Sequence, residues 1–157
     1  MLFRSGNDVT QQNPLAAWQI RTGVRQHGAR LYVLNGRPSK IHRQAKIAVE
    51  VAHGGERQAL RWLASEQGQF DAKTTEALVR FKAALEAETD VVVLFGADIQ
   101  GSAIRDLVSL AARFQGKTRF MALGDYSNSR GAADMGILPD RLPGYAPLAD
   151  AGERARF

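Results

Sequence analysis

The chain has 157 residues, of which 45% are hydrophobic and 24% charged, a composition typical of one globular domain with a real core. It contains no cysteine, which excludes disulfides, iron–sulfur clusters and thiolate zinc sites held by this chain alone. No apolar run approaches the roughly twenty residues that a membrane-spanning helix needs, and the first residues lack the apolar region of a signal peptide.

The net charge of +5 is unevenly distributed along the chain. Residues 1–62 hold ten Lys/Arg against three Asp/Glu, whereas the remainder holds eleven against thirteen. A basic first half is compatible with phosphates or an acidic partner. Because its charges alternate with apolar positions on predicted helices, they indicate a solvated face, and nucleic-acid binding is not expected.

The first half of the chain predicts one helix and two strands. Asn13 followed by Pro14 is typical of a helix start, and Gly28 is a helix stop. The apolar residues of this helix fall on one face and are Ala17, Ile20 and Val24. Residues 30–34 and 47–51 are apolar runs that favour buried strands, with a turn at 35–38 and one or two helical turns at 39–45 between them.

The second half predicts three helices and two strands. The helices are residues 56–67, residues 72–88 with Asp71 as N-cap, and a helix that Ser102 caps and Gly116 ends. Residues 90–95 form the strongest strand, and residues 118–123 form another. The predicted inward positions of the three helices are Leu60, Leu63 and Ala64; Leu78, Phe81 and Leu85; and Ile104, Leu107, Val108 and Ala111. Trp18 and Trp62 are expected in the core or at an interface.

Strands that alternate with helices predict an α/β fold, a Rossmann-like and mainly parallel sheet with helices on both faces, followed by a long Gly/Pro loop. Gly6 opens a loop that would normally follow a strand, so we expect the first strand to be missing. Residues 1–5 are interpreted as a non-native scar, because residues 2–5 match what a common sequencing-adapter end encodes. The predicted organisation is therefore a scar at 1–5, an α/β domain at 6–124, and a loop with the start of a truncated helix at 125–157.

The loop over residues 128–145 is the most distinctive part of the chain. Gly131, Gly136 and Gly144 offer backbone freedom, while Pro139 and Pro143 fix φ and remove hydrogen-bond donors. Long loops of this kind in compact domains are usually functional or disordered, and the specific order of these residues favours a fixed shape over an ordinary surface loop.

Ligands of open α/β sheets bind beyond the carboxyl ends of the strands. Four segments are expected to converge there, namely residues 6–13, 35–37, 96–100 and 124–136. A dinucleotide site needs a glycine turn before a helix and often an acid after the second strand. The pattern G-x-G-x-x-G is absent and the second strand ends at Asn35, so the signal for an active nucleotide site is weak.

No catalytic or metal centre is predicted within the chain. His27, His42 and His53 are far apart in sequence and have no second ligand at metal-binding spacing, so they are interpreted as surface or packing residues. Asp98 and Asp125 stand at turns, where aspartate commonly bonds to nearby backbone. The serines lack the G-x-S-x-G setting of a nucleophile.

Several segments together resemble the nucleotide-binding α/β domain of the molybdopterin oxidoreductases. They are the stretch from Gly6-Asn7 to Asn13-Pro14, the strand end Asn35-Gly36-Arg37, and residues 51–60. The loop is similar to that family's pattern Asn-x-x-Gly-Ala-x-Asp-Met-Gly-x-x-Pro, which begins here at Asn128. Formate dehydrogenases and the G subunit of the respiratory NADH–quinone oxidoreductase (complex I) carry versions of it, and residues 40–46 and 125–136 are nearer to the form in the G subunit.

The resemblance implies where a guanine dinucleotide cofactor would be bound. Its contacts would fall on Asn7, Asn35, Arg37 and Asn128. The molybdenum enzymes usually have Asp-Pro-Arg where this chain has Asn35-Gly36-Arg37, and an amide is a weaker ribose acceptor than a carboxylate. The resemblance therefore implies a vestigial cofactor site, with no cofactor in this chain and the iron–sulfur clusters of the parent protein bound upstream.

Three functions follow as alternatives. The first is an internal, structural piece of the arm that passes electrons from NADH to quinone. Its partners would be other complex I subunits, on the cytoplasmic side of the inner membrane. Neither nucleic-acid binding nor direct membrane insertion is expected. The second is a fragment of a molybdopterin-dependent enzyme such as formate dehydrogenase, which keeps the dinucleotide. The third is a stand-alone module whose basic half binds an anionic partner with strong salt dependence.

Overall fold

The computed structural model describes residues 2–5, 8–124, 126, 128–137 and 141–156; for residues 2–5, 129 and 130 it describes the backbone alone. The chain divides into two compact units, Met1–Leu123 and Gly124–Phe157. None of the described helices is long and apolar enough to cross a membrane.

The first unit is built on a five-stranded sheet whose neighbouring strands are all parallel. The strands are β1 (Leu2–Ser5), β2 (Leu31–Asn35), β3 (Ile47–Glu50), β4 (Asp90–Phe95) and β5 (Lys117–Ala122). Their order is β3-β2-β1-β4-β5, so the chain moves outward from β1 to β3, crosses back to β4 and continues to β5. This order is the Rossmann arrangement, and it confirms the predicted fold class.

Helices connect these strands and cover both faces of the sheet. They are α1 (Val9–Gln12), α2 (Pro14–Gln26), a 3₁₀ helix (Lys40–Gln44), α3 (Glu56–Ser65), α4 (Ala72–Glu86) and α5 (Ser102–Ala111). Helix α2 begins as predicted with Pro14 in its first turn, although the side chain of Asn13 makes no capping bond. Asp71 caps α4 by accepting a hydrogen bond from the backbone N–H of Thr74 at 3.1 Å.

The core has two layers because successive strand residues point to opposite faces. On β2, Leu31 and Val33 pack with Ile20 of α2 on one face. Tyr32 and Leu34 pack on the other face, against α3, α4 and α5. All four of these β2 side chains are fully buried, as expected for the interior of a parallel sheet.

The sequence analysis expected the first strand to be missing, whereas the structure has a strand at its place in the sheet. Leu2–Ser5 forms β1 in the middle of the sheet, where Leu2 pairs with Leu31 of β2 and with Val92 of β4. A four-residue segment is too short to show a strand period, and only its two neighbours reveal its place. The interpretation of these residues as a non-native scar stays a prediction.

The predicted inward faces hold for α2, α3 and α4, but only in part for α5. Leu107 and Ala111 of α5 are buried, whereas Ile104 and Val108 are 39% and 51% exposed. The buried positions are completed by Ala103 and Leu110. The small Ala103 lies on the buried side of a helix that packs closely on α3. The expected cap Ser102 is instead the first helical residue, after Gly101.

The second unit contains more regular structure than the predicted loop. It holds α6 (Ser129–Asp134), a 3₁₀ helix (Pro143–Tyr145), an antiparallel bridge between Arg141 and Pro147, and α7 (Ala151–Arg154). Gly136 has a φ of +81°, and a Cβ at this position would lie 2.5 Å from the nitrogen of Pro143. Glycine is therefore required there, both for the positive φ and for the lack of space for a Cβ.

Candidate functional site at the carboxyl ends of the strands

A cavity of about 370 Å³ opens beyond the carboxyl ends of β2 and β4, where ligands of open α/β sheets bind. Asp8, Asn35 and Asp98 represent three of the four segments that were expected to converge. The remaining lining residues are Gln11, Gln12, Arg37, Pro38, His53 and Glu56. The fourth segment, residues 124–136, belongs to the second unit.

Asn35 is the last residue of β2 and is only 5% exposed. Its side-chain nitrogen donates a hydrogen bond to the carbonyl oxygen of Arg37 at 2.9 Å. The amide that would replace the acid of a dinucleotide site therefore closes the turn after its own strand. One of its two donor hydrogens is already used inside the chain.

Arg37 lies at the rim of the cavity beside His53. A guanidinium nitrogen of Arg37 is 3.1 Å from Nε2 of His53. Arg37 is the only lysine or arginine among the described lining residues. It is therefore the one described side chain with a permanent positive charge that an anion could meet in the cavity.

Glu56 fixes the turn after β2 from the other side. It begins α3, is 7% exposed, and its carboxylate accepts the backbone N–H of Gly36 at 2.7 Å. A Cβ on Gly36 would lie 2.5 Å from Oε1 of Glu56 and 3.1 Å from Cα of His53. Glycine is thus needed at position 36 because Glu56 and the backbone at His53 press against it. The sequence analysis placed Glu56 at a helix start but did not identify it as a residue of the site.

Asp8 occupies the start of the first helix after β1. Its carboxylate accepts the backbone N–H of Thr10 at 3.0 Å and the hydroxyl of Thr10 at 2.7 Å. Phosphate groups of nucleotides are commonly held at the first helix after β1 in this fold. A negatively charged side chain from the chain itself occupies that position here.

The two other predicted cofactor residues are Asn7 and Asn128. Asn7 lies outside the described residues. Asn128 is the N-cap residue of α6 in the second unit, and its side chain makes no capping bond there. Their cofactor contacts stay predictions, as do those of Asn35 and Arg37.

The described lining of the cavity contains more acidic than basic side chains. Three carboxylates line the cavity, those of Asp8, Glu56 and Asp98, against the single guanidinium of Arg37. Like charges repel more strongly where water is partly excluded. Within the described residues no group of three acidic or histidine side chains forms a metal site either.

The two tryptophans and two of the histidines lie in different environments. Trp62 packs against the larger core cluster as expected, whereas Trp18 is 59% exposed on α2. His42 accepts the backbone N–H of Ser39 through Nδ1 at 2.8 Å and so caps the 3₁₀ helix. His53 is the histidine that reaches the cavity.

Comparison with known proteins agrees with the predicted resemblance. NADH-quinone oxidoreductase G subunit 2 of Rhizobium meliloti is 30% identical over 178 aligned positions, which cover 97% of this chain and 21% of that protein. The chain is related to the G subunit. The probable oxidoreductase YjgC of Bacillus subtilis is 28% identical over 98% of this chain and 15% of its own length. No family model matches.

The solved structures show the fold. A chain of the formyltransferase/hydrolase complex of Methylorubrum extorquens, determined with methylofuran, superposes with a TM-score of 0.56 at 20% identity. The match covers 95% of this chain and 45% of that one. The chain spans about a fifth or less of the curated relatives, at 21% and 15% of their lengths, so it corresponds to one segment of the G subunit and of YjgC.

Proposed function

We propose that this chain is a structural domain of a G subunit, in the arm of NADH-quinone oxidoreductase that passes electrons from NADH to quinone, and that it binds no cofactor of its own. The observation that carries this proposal is that carboxylates lining the cavity accept hydrogen bonds from backbone N–H groups of the chain itself. Glu56 holds the N–H of Gly36, and Asp8 holds the start of α1. The start of α1 is where a nucleotide phosphate would be held in this fold, and the end of β2 is where a ribose would be held.

The electrostatics of the cavity support the same conclusion. A pyrophosphate would bring further negative charge beside Asp8, Glu56 and Asp98. Arg37 alone among the described lining residues offers a permanent opposing charge. The net effect disfavours a dinucleotide and leaves the α/β domain as a scaffold.

The proposed partners are other subunits of the complex I peripheral arm, on the cytoplasmic side of the inner membrane. The support is the description of the R. meliloti relative as a subunit. Electron-carrying iron–sulfur clusters would be bound by other parts of the parent protein, since this chain contains no cysteine ligand.

One observation favours the alternative of a molybdopterin-dependent oxidoreductase fragment, such as one from a formate dehydrogenase. Asn35 and Arg37 lie on the same cavity, and the resemblance assigns both to the guanine dinucleotide. In that function Arg37 would meet a phosphate and Asn35 a ribose hydroxyl. The carboxylates of the described lining oppose this fit.

The two functions differ in what the protein carries. We would express the chain in bacteria that make molybdopterin guanine dinucleotide, purify it, and measure molybdenum by mass spectrometry and guanine nucleotide after acid release. The scaffold function predicts neither above the level found with an Arg37→Glu variant. Molybdenum and guanine in near-equal molar amounts with the chain, lost in that variant, would establish the alternative.

A second experiment tests the partnership. An affinity-tagged chain would be produced in R. meliloti and recovered after gentle lysis, with quantitative mass spectrometry of the associated proteins. Enrichment of other NADH-quinone oxidoreductase subunits over an unrelated tagged α/β protein is expected. Equal recovery from both baits would contradict the proposed partnership.

A further inference from the structure

A second cavity lies on the α2 face of the sheet, away from the carboxyl ends of the strands. It is a groove of about 420 Å³ between α2 and strands β4 and β5. Its apolar lining consists chiefly of Ala16, Ile20, Gly23, Val92, Leu94 and Met121. Both faces of a parallel sheet are normally covered, yet Met121 on this face is 51% exposed.

Gly23 is an unusual residue for this wall. It lies inside α2, where glycine is less favourable than alanine by roughly 1 kcal/mol. A Cβ at this position would meet only Cβ of Ala29, at an ordinary contact distance of 3.8 Å, so packing within the described residues does not require glycine. Ala16, Ile20 and Gly23 are spaced four and three residues apart and form one stripe along the helix. The small residues of that stripe keep the groove open.

The charges on the elements around the groove are mostly positive. The one acidic residue of β4 is Asp90, at the start of the strand and directly opposite Lys117 of β5. Helix α2 and strand β5 contain no acidic residue. Arg119 lies on β5 two residues before Met121, hence on the same face of the sheet. Neither Arg119 nor Arg21 and Arg25 of α2 forms an ion pair with any described residue. On the opposite face, by contrast, Arg61 of α3 pairs with Asp106 of α5 at 3.7 Å.

We propose that this groove binds an amphipathic helix of a partner polypeptide, with an apolar stripe against Gly23 and Met121 and acidic residues toward Arg119. Charge decides against a second copy of the chain as the occupant. Pairing two copies along β5 would set two strands against each other that both contain Lys117 and Arg119 and no acidic residue, so like charges would be opposed. The proposal does not depend on the function assigned to the first cavity.

The test uses two synthetic peptides of about fifteen residues, long enough to cross the groove as a helix. Both carry leucines at helical spacing, and they differ only in glutamate or lysine on the flanking positions. Fluorescence anisotropy would give the affinity of each labelled peptide, and the methyl NMR signal of Met121 would locate it. The glutamate peptide is expected to bind at least about tenfold more tightly than the lysine peptide, with an advantage that shrinks as salt is added.

Two matched variants make the assignment specific. Met121 and Val108 are both 51% exposed, on the groove face and the opposite face of the unit. Met121→Asp is expected to weaken glutamate-peptide binding about tenfold or more, while Val108→Asp leaves it unchanged. Arg119→Glu should remove the preference for the glutamate peptide, with circular dichroism confirming that each variant is folded.

Three results would overturn the proposal. They are no binding of the glutamate peptide, equal binding of the two peptides, or equal losses with Met121→Asp and Val108→Asp. Self-association of the chain that Met121→Asp abolishes would assign the groove to a second copy instead.

Discussion

The hydroxyl of Tyr32 donates a hydrogen bond of 2.7 Å to Oε1 of Glu88, and both residues are buried, with 0% and 4% of their surfaces exposed. Arg30 pairs with the same carboxylate through Nε and a terminal guanidinium nitrogen. The hydrogen bond from Arg30 holds the pKa of Glu88 below its ordinary value, and burial raises the pKa of the Tyr32 hydroxyl. The three side chains tie β2 to the segment between α4 and β4.

Replacing Glu88 should destabilise the first unit. Glu88→Ala leaves the Tyr32 hydroxyl and the Arg30 guanidinium without their acceptor, and we expect a loss of about 2–3 kcal/mol in the free energy of unfolding. Asp106→Ala is the control, because its pair with Arg61 is long, at 3.7 Å, and partly solvent-accessible, and should contribute under about 1 kcal/mol. Urea denaturation at neutral pH would measure both. Equal losses would show that the buried cluster has no special weight.

The same cluster predicts a pH dependence. The pKa of Glu88 is lower in the folded chain than in the unfolded chain, so its contribution is complete above the ordinary glutamate pKa of about 4.3. It is lost as the pH falls from that value through the lowered folded pKa. The stability difference between the natural chain and Glu88→Gln should therefore shrink between about pH 5 and pH 3. Urea denaturation would measure this difference. A difference that stays constant over this pH range would show that Glu88 does not stabilise the cluster as an ionised carboxylate.

Glu56 should stabilise the turn after β2 through its oxygen atoms. Glu56→Ala leaves the N–H of Gly36 without its acceptor and is expected to lower stability by about 1–3 kcal/mol. Glu56→Gln keeps an acceptor oxygen and should lose less than about 1 kcal/mol. Amide hydrogen exchange at Gly36 would localise the effect. Unchanged exchange in Glu56→Ala would mean that the bond does not hold the turn.

Glycine is expected to matter at Gly116 and Gly101 for two different reasons, lack of space and backbone conformation. A Cβ on Gly116 would overlap the carbonyl group of Thr89, so Gly116→Ala requires the backbone to move and should cost about 3 kcal/mol or more. Gly101 has a φ of +58° and a ψ of −122° but open space around a Cβ, so Gly101→Ala should cost about 1–3 kcal/mol from backbone strain alone. Thermal unfolding of the two variants would rank them. The reverse order would show that the loop before β5 adapts easily.

Local pattern was sufficient to predict much of the fold. The apolar run of β4 and the spacing of Leu78, Phe81 and Leu85 on α4 carry their own period, and the structure confirms both. Strand β1 could not be found this way, because a four-residue strand is defined by its neighbours on both sides. The buried face of α5 depends on how closely the helix packs on α3. The spacing of apolar residues along the sequence does not determine that distance.

The candidate site, too, could be predicted only in part from the sequence. Asn35 and Arg37 follow a recognisable strand, and topology alone brings them to the carboxyl edge. Glu56 was missed because an acidic residue in a first helical turn is already favoured by the helix dipole, and nothing local indicates a bond to a residue twenty positions earlier. Asp8 was missed for a similar reason, since a helix cap needs no further role.

The place of β1 between β2 and β4 has a consequence for how the chain folds. Leu2 pairs with Val92, a separation of 90 positions by residue number. During synthesis a ribosome must therefore release most of the first unit before the centre of the sheet can close. Such high contact order slows folding, and we expect the nascent chain to depend on chaperones until β4 emerges.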